Sequence, residues 1–492
     1  MPRRSGDALP NVALYNLRDV RGETQEQTAA ALNELARVRG ESTAITGNHV
    51  SRWERGIVHP SRLHCQLLAE HFGVTIAELG LARQRIAPSP HLGAPNDDLL
   101  LIEDEKPLDG DPRVRQSQRD WLQIRRLVNS HHLRLAQTAA QLYPEPWRLG
   151  TTGLLARPDW IWPHPVDLGT VELTYQPNEL RPPIDGSEDV TGHVRPLRAS
   201  GLRYQRYSHA IRDLAQPRLF ENRLSWRLLD VALGESGGKL RFGNMNYFDA
   251  MDTCEAVAHE TAVTHLVNGG EVAPPSWRGL RLRRALGDPF DLGRRAVLLS
   301  INTLTIRRDR NSASVVLHNR NAANVATSGG IIGVMPAGVF QPSTVRAGDH
   351  MGDFDLWRNI MREYSEEFLG NPEHDGDGPG ADYTAEPLRS LDTARRAGRI
   401  RLYGLGLAVG ALDLWAGLET VAVFDADAFD EIFVDLVQEN DEGTVVRVGR
   451  GQPTVHVPFT RGMIDELWAT GRLAPESVFS LRTAWQHRDH LL

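Results

Sequence analysis

Residues 356–370 read LWRNIMREYSEEFLG. Glu363, Glu366 and Glu367 stand at i, i+3 and i+4, so an α-helix carries all three on one face. Carboxylates that close either repel one another in solvent or hold a hard cation such as Mg2+. Leu356, Trp357, Ile360, Tyr364 and Phe368 form an apolar stripe along the same stretch, as expected of a helix laid on a core.

The flanks of this helix are β-rich. AVLLSINTLTI and SVVLHNR are separated by RRDRNSA, which predicts a hairpin, and GGIIGVMPAGVFQP follows as a strand-and-turn segment. Beyond the helix come an acidic, glycine-rich loop (NPEHDGDGPGADYTAEP) and two strand-like runs, IRLYGLGLAV and LETVAVFDA. The last stretch, RGMIDELWATGRLAPESVFSLRTAWQHRD, is helical. Strands, one amphipathic helix, then more strands and helices predict an α/β sandwich over residues 294–492.

This region resembles the Nudix family, whose box reads glycine, five residues, glutamate, seven residues, then REUxEExGU with U a bulky apolar residue. Gly348 stands at the first glycine, and Arg362-Glu363-Tyr364-Ser365-Glu366-Glu367 fills REUxEE. Phe354 occupies the first glutamate position, Leu369 the later glycine position, and Gly370 follows one step late. VMPAGVFQP is similar to the family's proline-glycine strand before the box, with a longer loop inserted between. The resemblance implies that Glu363, Glu366 and Glu367 hold Mg2+, which polarises a pyrophosphate and activates water. It also implies that Arg362 orients a glutamate. Asp353 and Asp355 flank the missing carboxylate as substitutes. With Phe354 at that position no catalytic residue is assigned, and binding of a nucleotide-type ligand without turnover is the expectation.

Some 300 residues upstream, the chain carries a different signal. Thr24 is placed to cap a helix over QEQTAAALNELARVRG, with Gly40 as its stop. ITGNHVSRWERG follows, with Thr46 as a cap, Asn48, His49, Ser51 and Arg52 outward, and Val50 and Trp53 inward. After Gly56 and Pro60, SRLHCQLLAEHFGVTIAELG predicts a further helical pair.

TQEQTAAAL, then ITGNHVSRWERG, then LLAEHFGVTIAEL resemble the XRE, or lambda-repressor-like, helix-turn-helix family over roughly the first 80 residues. NELARVRGESTA replaces the family's short turn, which predicts a longer second helix or a bulged loop. The resemblance implies a recognition helix whose N-terminal residues Thr46, Gly47, Asn48, His49, Ser51 and Arg52 enter the major groove of double-stranded DNA. Asn48 suits a bidentate pair with adenine and Arg52 with guanine. Gln25 matches the family position that touches phosphate and outer bases, and Arg55 and Arg62 are placed to meet phosphates. Residues 1–85 hold 11 arginines against 9 carboxylates, whereas the whole chain carries a net charge of -8. That balance rules out a chain coated in nucleic acid along its length and leaves a local reading head.

Between the two lie an acidic, proline-rich linker (86–112) and a mixed α/β middle region (113–293) that opens on a helix, QRDWLQIRRLVNSHHLRLAQTAAQLY. GESGGKL is no phosphate loop, because Leu233 stands where a glycine is needed and Leu240 where a hydroxyl is needed. In AHETAVTHL, His259 and His265 are six apart, which turns them to nearly opposite sides of a helix and excludes a zinc protease motif. RFGNMNYFDAMD clusters asparagines and aromatics, either as a ligand-binding turn or as ordinary packing. The only cysteines, Cys65 and Cys254, exclude a disulfide framework. No apolar run approaches the ~18 residues of a membrane span, and the first residues lack a secretory apolar stretch.

The expectation is therefore a multidomain chain with four parts. These are an all-α helix-turn-helix head (1–85), a linker (86–112), a mixed α/β middle (113–293) and a Nudix-like α/β sandwich (294–492). Its expected function is bacterial transcription regulation in the cytoplasm, at the nucleoid, with the C-terminal part sensing a nucleotide-type ligand or mediating homodimerisation. The alternative is a Mg-dependent Nudix-type pyrophosphohydrolase carrying a DNA-binding head.

Overall fold

The computed structural model describes residues 11–39, 43, 45–55, 60–75, 79, 81, 111–177, 179–217, 220–267, 271–320, 331–344, 350–371, 380–434, 443–445 and 457–492. The chain divides into two compact units, Met1–Glu103 and Asp104–Leu492. Most of the predicted linker, together with Gly348 and most of the acidic loop after Gly370, lies outside the described residues.

In the first unit the described elements are helical: α1 (Val12–Val20), α2 (Gln25–Val38), α3 (Gly47–Glu54) and α4 (Arg62–Phe72). Leu14, Leu32, Val50, Trp53, Leu67 and Leu68 make their shared core. Thr24 caps α2 by accepting from Gln27 N at 3.2 Å, while Gln27 returns a bond to Thr24 N at 2.7 Å. Of the inserted stretch NELARVRGESTA, residues 33–38 belong to α2, which runs for 14 residues. Gly73, at φ +68°, closes α4 in the left-handed conformation that suits glycine.

The second unit is mixed α/β. Its strands include β1 (Leu154–Leu155), β2 (Ile161–Asp167), β3 (Val171–Tyr175), β4 (Leu224–Gly234), β5 (Gly237–Asn246), β6 (Leu299–Arg308), β7 (Ala313–Val315), β8 (Ala337–Val339), β9 (Ile400–Gly410), β10 (Ala416–Asp425) and β11 (Val457–Pro458). The main sheet runs β1-β9-β10-β6-β7-β11, with β8 also on β6 and β2 also on β9. β6 and β10 are parallel, from Leu299↔Ala416 to Arg308↔Asp425. The predicted hairpin forms as β6 and β7, with Ile306 opposite Val315. β3, β5 and β4 make a smaller sheet, and Leu317–Arg320 pairs with Ile332–Val334 and Gly443–Val445 in another.

Helices α5 (Pro112–Ser130), α6 (Tyr247–His265), α7 (Leu356–Glu363), α8 (Leu388–Arg396) and α9 (Pro475–Gln486) accompany these sheets. Alternation along β6 and β10 sends side chains to two cores. Leu304, Ile306, Val421 and Val423 pack with Val478 and Leu481 of α9. Leu299, Ile301, Ala422 and Phe424 pack with Ile360, Tyr364 and Phe368.

The expected boundary at residue 293 falls inside this unit. β1 and β2, from the predicted middle region, hydrogen-bond to β9, from the predicted sandwich. Gly406 makes that junction possible, because a side chain there would meet Trp160 O at 2.8 Å and its φ is +153°. Helix α5 likewise begins at Pro112, within the predicted linker, with Asp111 accepting from Arg113 N at 2.8 Å.

One carboxyl sits in the sheet core. Glu419 of β10 is 1% exposed, and accepts from Asn302 Nδ2 at 2.9 Å and Ser480 Oγ at 3.0 Å. Burial first, then the nearby Glu476, pushes its pKa up to about 8 from an ordinary 4.5. A raised carboxyl pKa contributes stability that is full below 4.5 and lost as pH rises through about 8. Chemical denaturation of Glu419→Gln between pH 5 and pH 9 should therefore show a flatter decline than the parent; parallel declines would remove Glu419 as the cause.

Candidate functional site

The sequence points to two places, α3 in the head and the carboxylate-bearing stretch of the large unit. Helix α3 starts at Thr46, whose backbone N donates to His49 Nδ1 at 3.0 Å. That bond requires Nδ1 of His49 to be unprotonated. Burial and the nearby Arg52 charge lower the His49 pKa, in keeping with that neutral form. His49 and Thr46 are exposed, and Gly47 is buried against the Glu26 carboxylate. Ser51 and Arg52 are half-buried. Arg52 makes no ion pair or side-chain hydrogen bond with the described residues, and exposed Arg55 donates only to Ser51 O at 3.3 Å. The side chains of Asn48 and Arg62 lie outside the described residues.

Gln25 is half-buried and engages a carboxylate of α3. Its Nε2 donates to Glu54 Oε2 at 2.7 Å, and Arg18 binds both oxygens of the same carboxylate, with Nη2 to Oε2 at 3.1 Å. Glu54 O also accepts from Asn11 N at 2.7 Å. Glu54, 5% exposed, thus ties α1, α2 and α3 together, and Gln25 serves that clamp. No local spacing around Gln25 signals this, because its partner is 29 residues away.

In the large unit, α7 forms as predicted, with Asp355 accepting from Arg358 N at 2.8 Å as its cap. The helix then widens into a π-helical turn over Tyr364–Phe368. Tyr364 OH bonds Thr305 Oγ1 at 2.8 Å, and Tyr364 and Phe368 are fully buried among Phe424, Phe429 and Phe433. The predicted apolar stripe therefore does pack on the sheet.

The glutamates are arranged less simply than i, i+3, i+4 implies. Glu363 lies against β8 so closely that a side chain at Gly338 would sit 1.9 Å from its Cδ. Glu367 Oε1 accepts from Ala337 N on the same strand at 3.2 Å. Glu366 is half-buried in the π turn, whose wider winding alters the α-helical register on which a shared face depends. Among the described residues no group of three or more His, Cys, Asp or Glu side chains could hold a metal ion. Hard carboxylate oxygens suit Mg2+ in kind, and no metal-dependent step is derived.

Arg362 turns inward to Asp353. It is 4% exposed and pairs with Asp353 Oδ1 at 3.4 Å, while donating to Tyr383 OH at 2.7 Å and Asn359 Oδ1 at 3.0 Å. Asp353 in turn accepts from Ser343 N at 2.8 Å, Ser343 Oγ at 2.6 Å and Tyr383 OH at 2.5 Å. Burial acts to raise the Asp353 pKa, but Arg362 and these hydroxyls outweigh it and hold the carboxyl below its ordinary value. Of the two flanking aspartates, Asp353 is the one that meets Arg362, whereas Asp355 caps the helix. Phe354 joins a ring cluster with Trp226, Phe242 and Phe340, so the position of the missing glutamate serves packing.

The middle-region histidines also have structural partners. Tyr207 OH and His259 Nδ1 are 2.9 Å apart, and His265 Nε2 accepts from Ser276 N at 3.1 Å. Glu260 accepts from the N–H groups of Leu282 and Arg283 at 2.7 and 3.0 Å. Asn246 and Asp249 of the asparagine-rich stretch cap α6, with Asn246 N donating to Asp249 Oδ2 at 2.8 Å.

No protein-family model matches this chain, and no curated protein matches it. Among solved structures it is similar to a NUDIX hydrolase from Alicyclobacillus acidocaldarius, at 11% identity over 38% of this chain and 90% of that chain, with a TM-score of 0.20. That likeness is weak, and no fold, residue role or activity is carried over from it.

Asp353→Ala should cost about 3–5 kcal/mol in denaturant unfolding of the large unit, because Arg362 stays buried without its carboxylate. Unchanged unfolding would show that Tyr383, Asn359 and the Gln341 carbonyl, which accepts from Arg362 Nη2 at 2.5 Å, suffice to hold the guanidinium.

Proposed function

We propose that this protein is a sequence-specific, DNA-binding transcription regulator of a bacterium. In this reading the helical head engages double-stranded DNA, and the larger unit senses a small ligand, nucleotide-type in the simplest case, or mediates homodimerisation. The observation that carries the reading is α3. Its capped N-terminus presents Thr46 and His49 at the surface, and Arg52 is committed to no carboxylate among the described residues. An uncommitted guanidinium at that position suits a bidentate contact with guanine. Exposed Arg55 is available to a phosphate. Gln25 gives one Nε2–H to Glu54, and its amide keeps a second N–H and its oxygen for a DNA contact. Two half-sites read by two heads would favour a two-fold dimer.

The reading places the protein in the cytoplasm at the nucleoid, and no helix among the described residues is long and apolar enough to cross a membrane. The pyrophosphohydrolase alternative draws on Glu363, Glu366 and Glu367, with Arg362. Glu367 already accepts the Ala337 N–H, and no group of three metal-holding side chains occurs among the described residues, so the regulator reading is preferred.

Arg52→Ala and Asn48→Ala should each weaken binding to a DNA site selected from a random pool by about 1–3 kcal/mol, measured by fluorescence anisotropy at fixed salt. Parent-like affinity in both variants would refute the assignment of α3 as the reading helix.

A further inference from the structure

A cleft of about 640 Å³ opens between α7, the Tyr383–Thr384 turn and α8. That volume falls within the range typical of small-molecule sites. Four arginines line it: Arg358, Arg389, Arg395 and Arg396. Two are neutralised, since Arg389 Nη2 meets Glu386 Oε1 at 2.6 Å and Arg396 Nη2 meets Asp392 Oδ2 at 2.7 Å. The other two have no carboxylate partner among the described residues. Arg358 binds the Gly352 carbonyl and lies 4.6 Å from the centre of the Tyr383 ring. Arg395 makes no polar side-chain bond there and lies 5.4 Å from the centre of the Trp357 ring. The one remaining carboxylate in the lining, Asp355, caps α7.

Stacking on a ring holds a guanidinium in place without using its N–H groups, which stay available for an anion. Tyr383 is itself fixed, through its hydroxyl, to Asp353 at 2.5 Å and Arg362 at 2.7 Å. The ring beneath Arg358 is therefore positioned by a buried ion pair. Arg395 and Arg396 also stand in the last turn of α8, where cations favour the helix dipole. That accounts for their charge, but not for the stacking of Arg395 on a residue of another helix. Glu363 lies six positions beyond Trp357, about 120° round the α-helix from it, and with Glu367 it faces β8.

From this geometry we propose that the cleft is a binding site for a phosphorylated small molecule, with Arg358 and Arg395 as the anion-binding pair. Two guanidiniums without an ion-pair partner among the described residues match one phosphate monoester, which carries about −1.5 to −2 charge at pH 7 and three acceptor oxygens. The cleft has room for more than a phosphate ion, so the natural ligand carries further atoms. The site does not depend on the DNA-reading head or on the glutamates beside β8.

The test is calorimetric titration of the full chain, without DNA, using inorganic phosphate, ribose 5-phosphate and succinate. Saturable binding of one or both phosphate compounds is expected, weakened about tenfold or more by Arg395→Gln and partly restored by Arg395→Lys. Tighter binding of the sugar phosphate identifies a phosphorylated metabolite, and equal binding identifies the phosphate group alone. Arg461→Gln removes the same charge from an exposed helix and should leave both affinities unchanged. Thermal melts of each variant check the fold. The proposal is overturned if neither phosphate compound binds, if succinate binds equally well, or if Arg461→Gln weakens binding as much as Arg395→Gln.

Discussion

The parallel pairing of β6 with β10 is the constraint on which the larger unit is built. Parallel strands cannot be joined by a tight turn, so the chain must travel far between them. Here that excursion, from Arg308 to Ala416, contains β8, α7, α8 and β9. Both strands are buried along most of their length, so each face of the pair needs a covering layer. Tyr364 anchors one layer through Thr305, and Ser480 of α9 anchors the other through Glu419. Thr305 and Asn302, the neighbour of Glu419, are three residues apart on β6 and therefore point to opposite faces. Two polar contacts in two apolar layers give each helix a definite seat, where apolar packing alone would tolerate sliding.

The carboxylate helix derives its setting from that arrangement. Once Tyr364 is held on β6, Glu363 and Glu367 are turned toward β8, and Gly338 is the residue that lets Glu363 approach. Arg362 is drawn inward to Asp353. A buried guanidinium without a carboxylate is costly; Asn359 and Tyr383 complete its surroundings, and Ser343 holds Asp353. Tyr383 links this ion pair to the arginine-lined cleft, since its hydroxyl faces Asp353 while its ring carries Arg358.

Much of the local structure was legible in the sequence because it rests on short-range rules. Thr24 with Gln27 announces α2, the apolar stripe from Leu356 to Phe368 announces a packed helix, and RRDRNSA announces the β6–β7 turn. Asp353 and Asp355 were visible as neighbours of Phe354. Which of them meets Arg362 was not, because the choice depends on Ser343 and Tyr383, 10 and 30 residues away. The bond from Gln25 to Glu54 was not legible either, since the two are brought close by the packing of α2 on α3.

The sequence by itself determined the helical head, the strand-rich character of the larger unit and the acidic helix, through periodicity, caps and turn residues that act over a few positions. Only the tertiary structure decided that residues on both sides of position 293 share one sheet, that the helix carrying the glutamates widens after Glu363, and that Arg362 belongs to Asp353. The arginine-lined cleft is likewise a tertiary feature, since it gathers side chains from α7, α8 and the turn between them. Side-chain burial and long-range pairing are set by the summed packing of distant segments, and no local spacing encodes that sum.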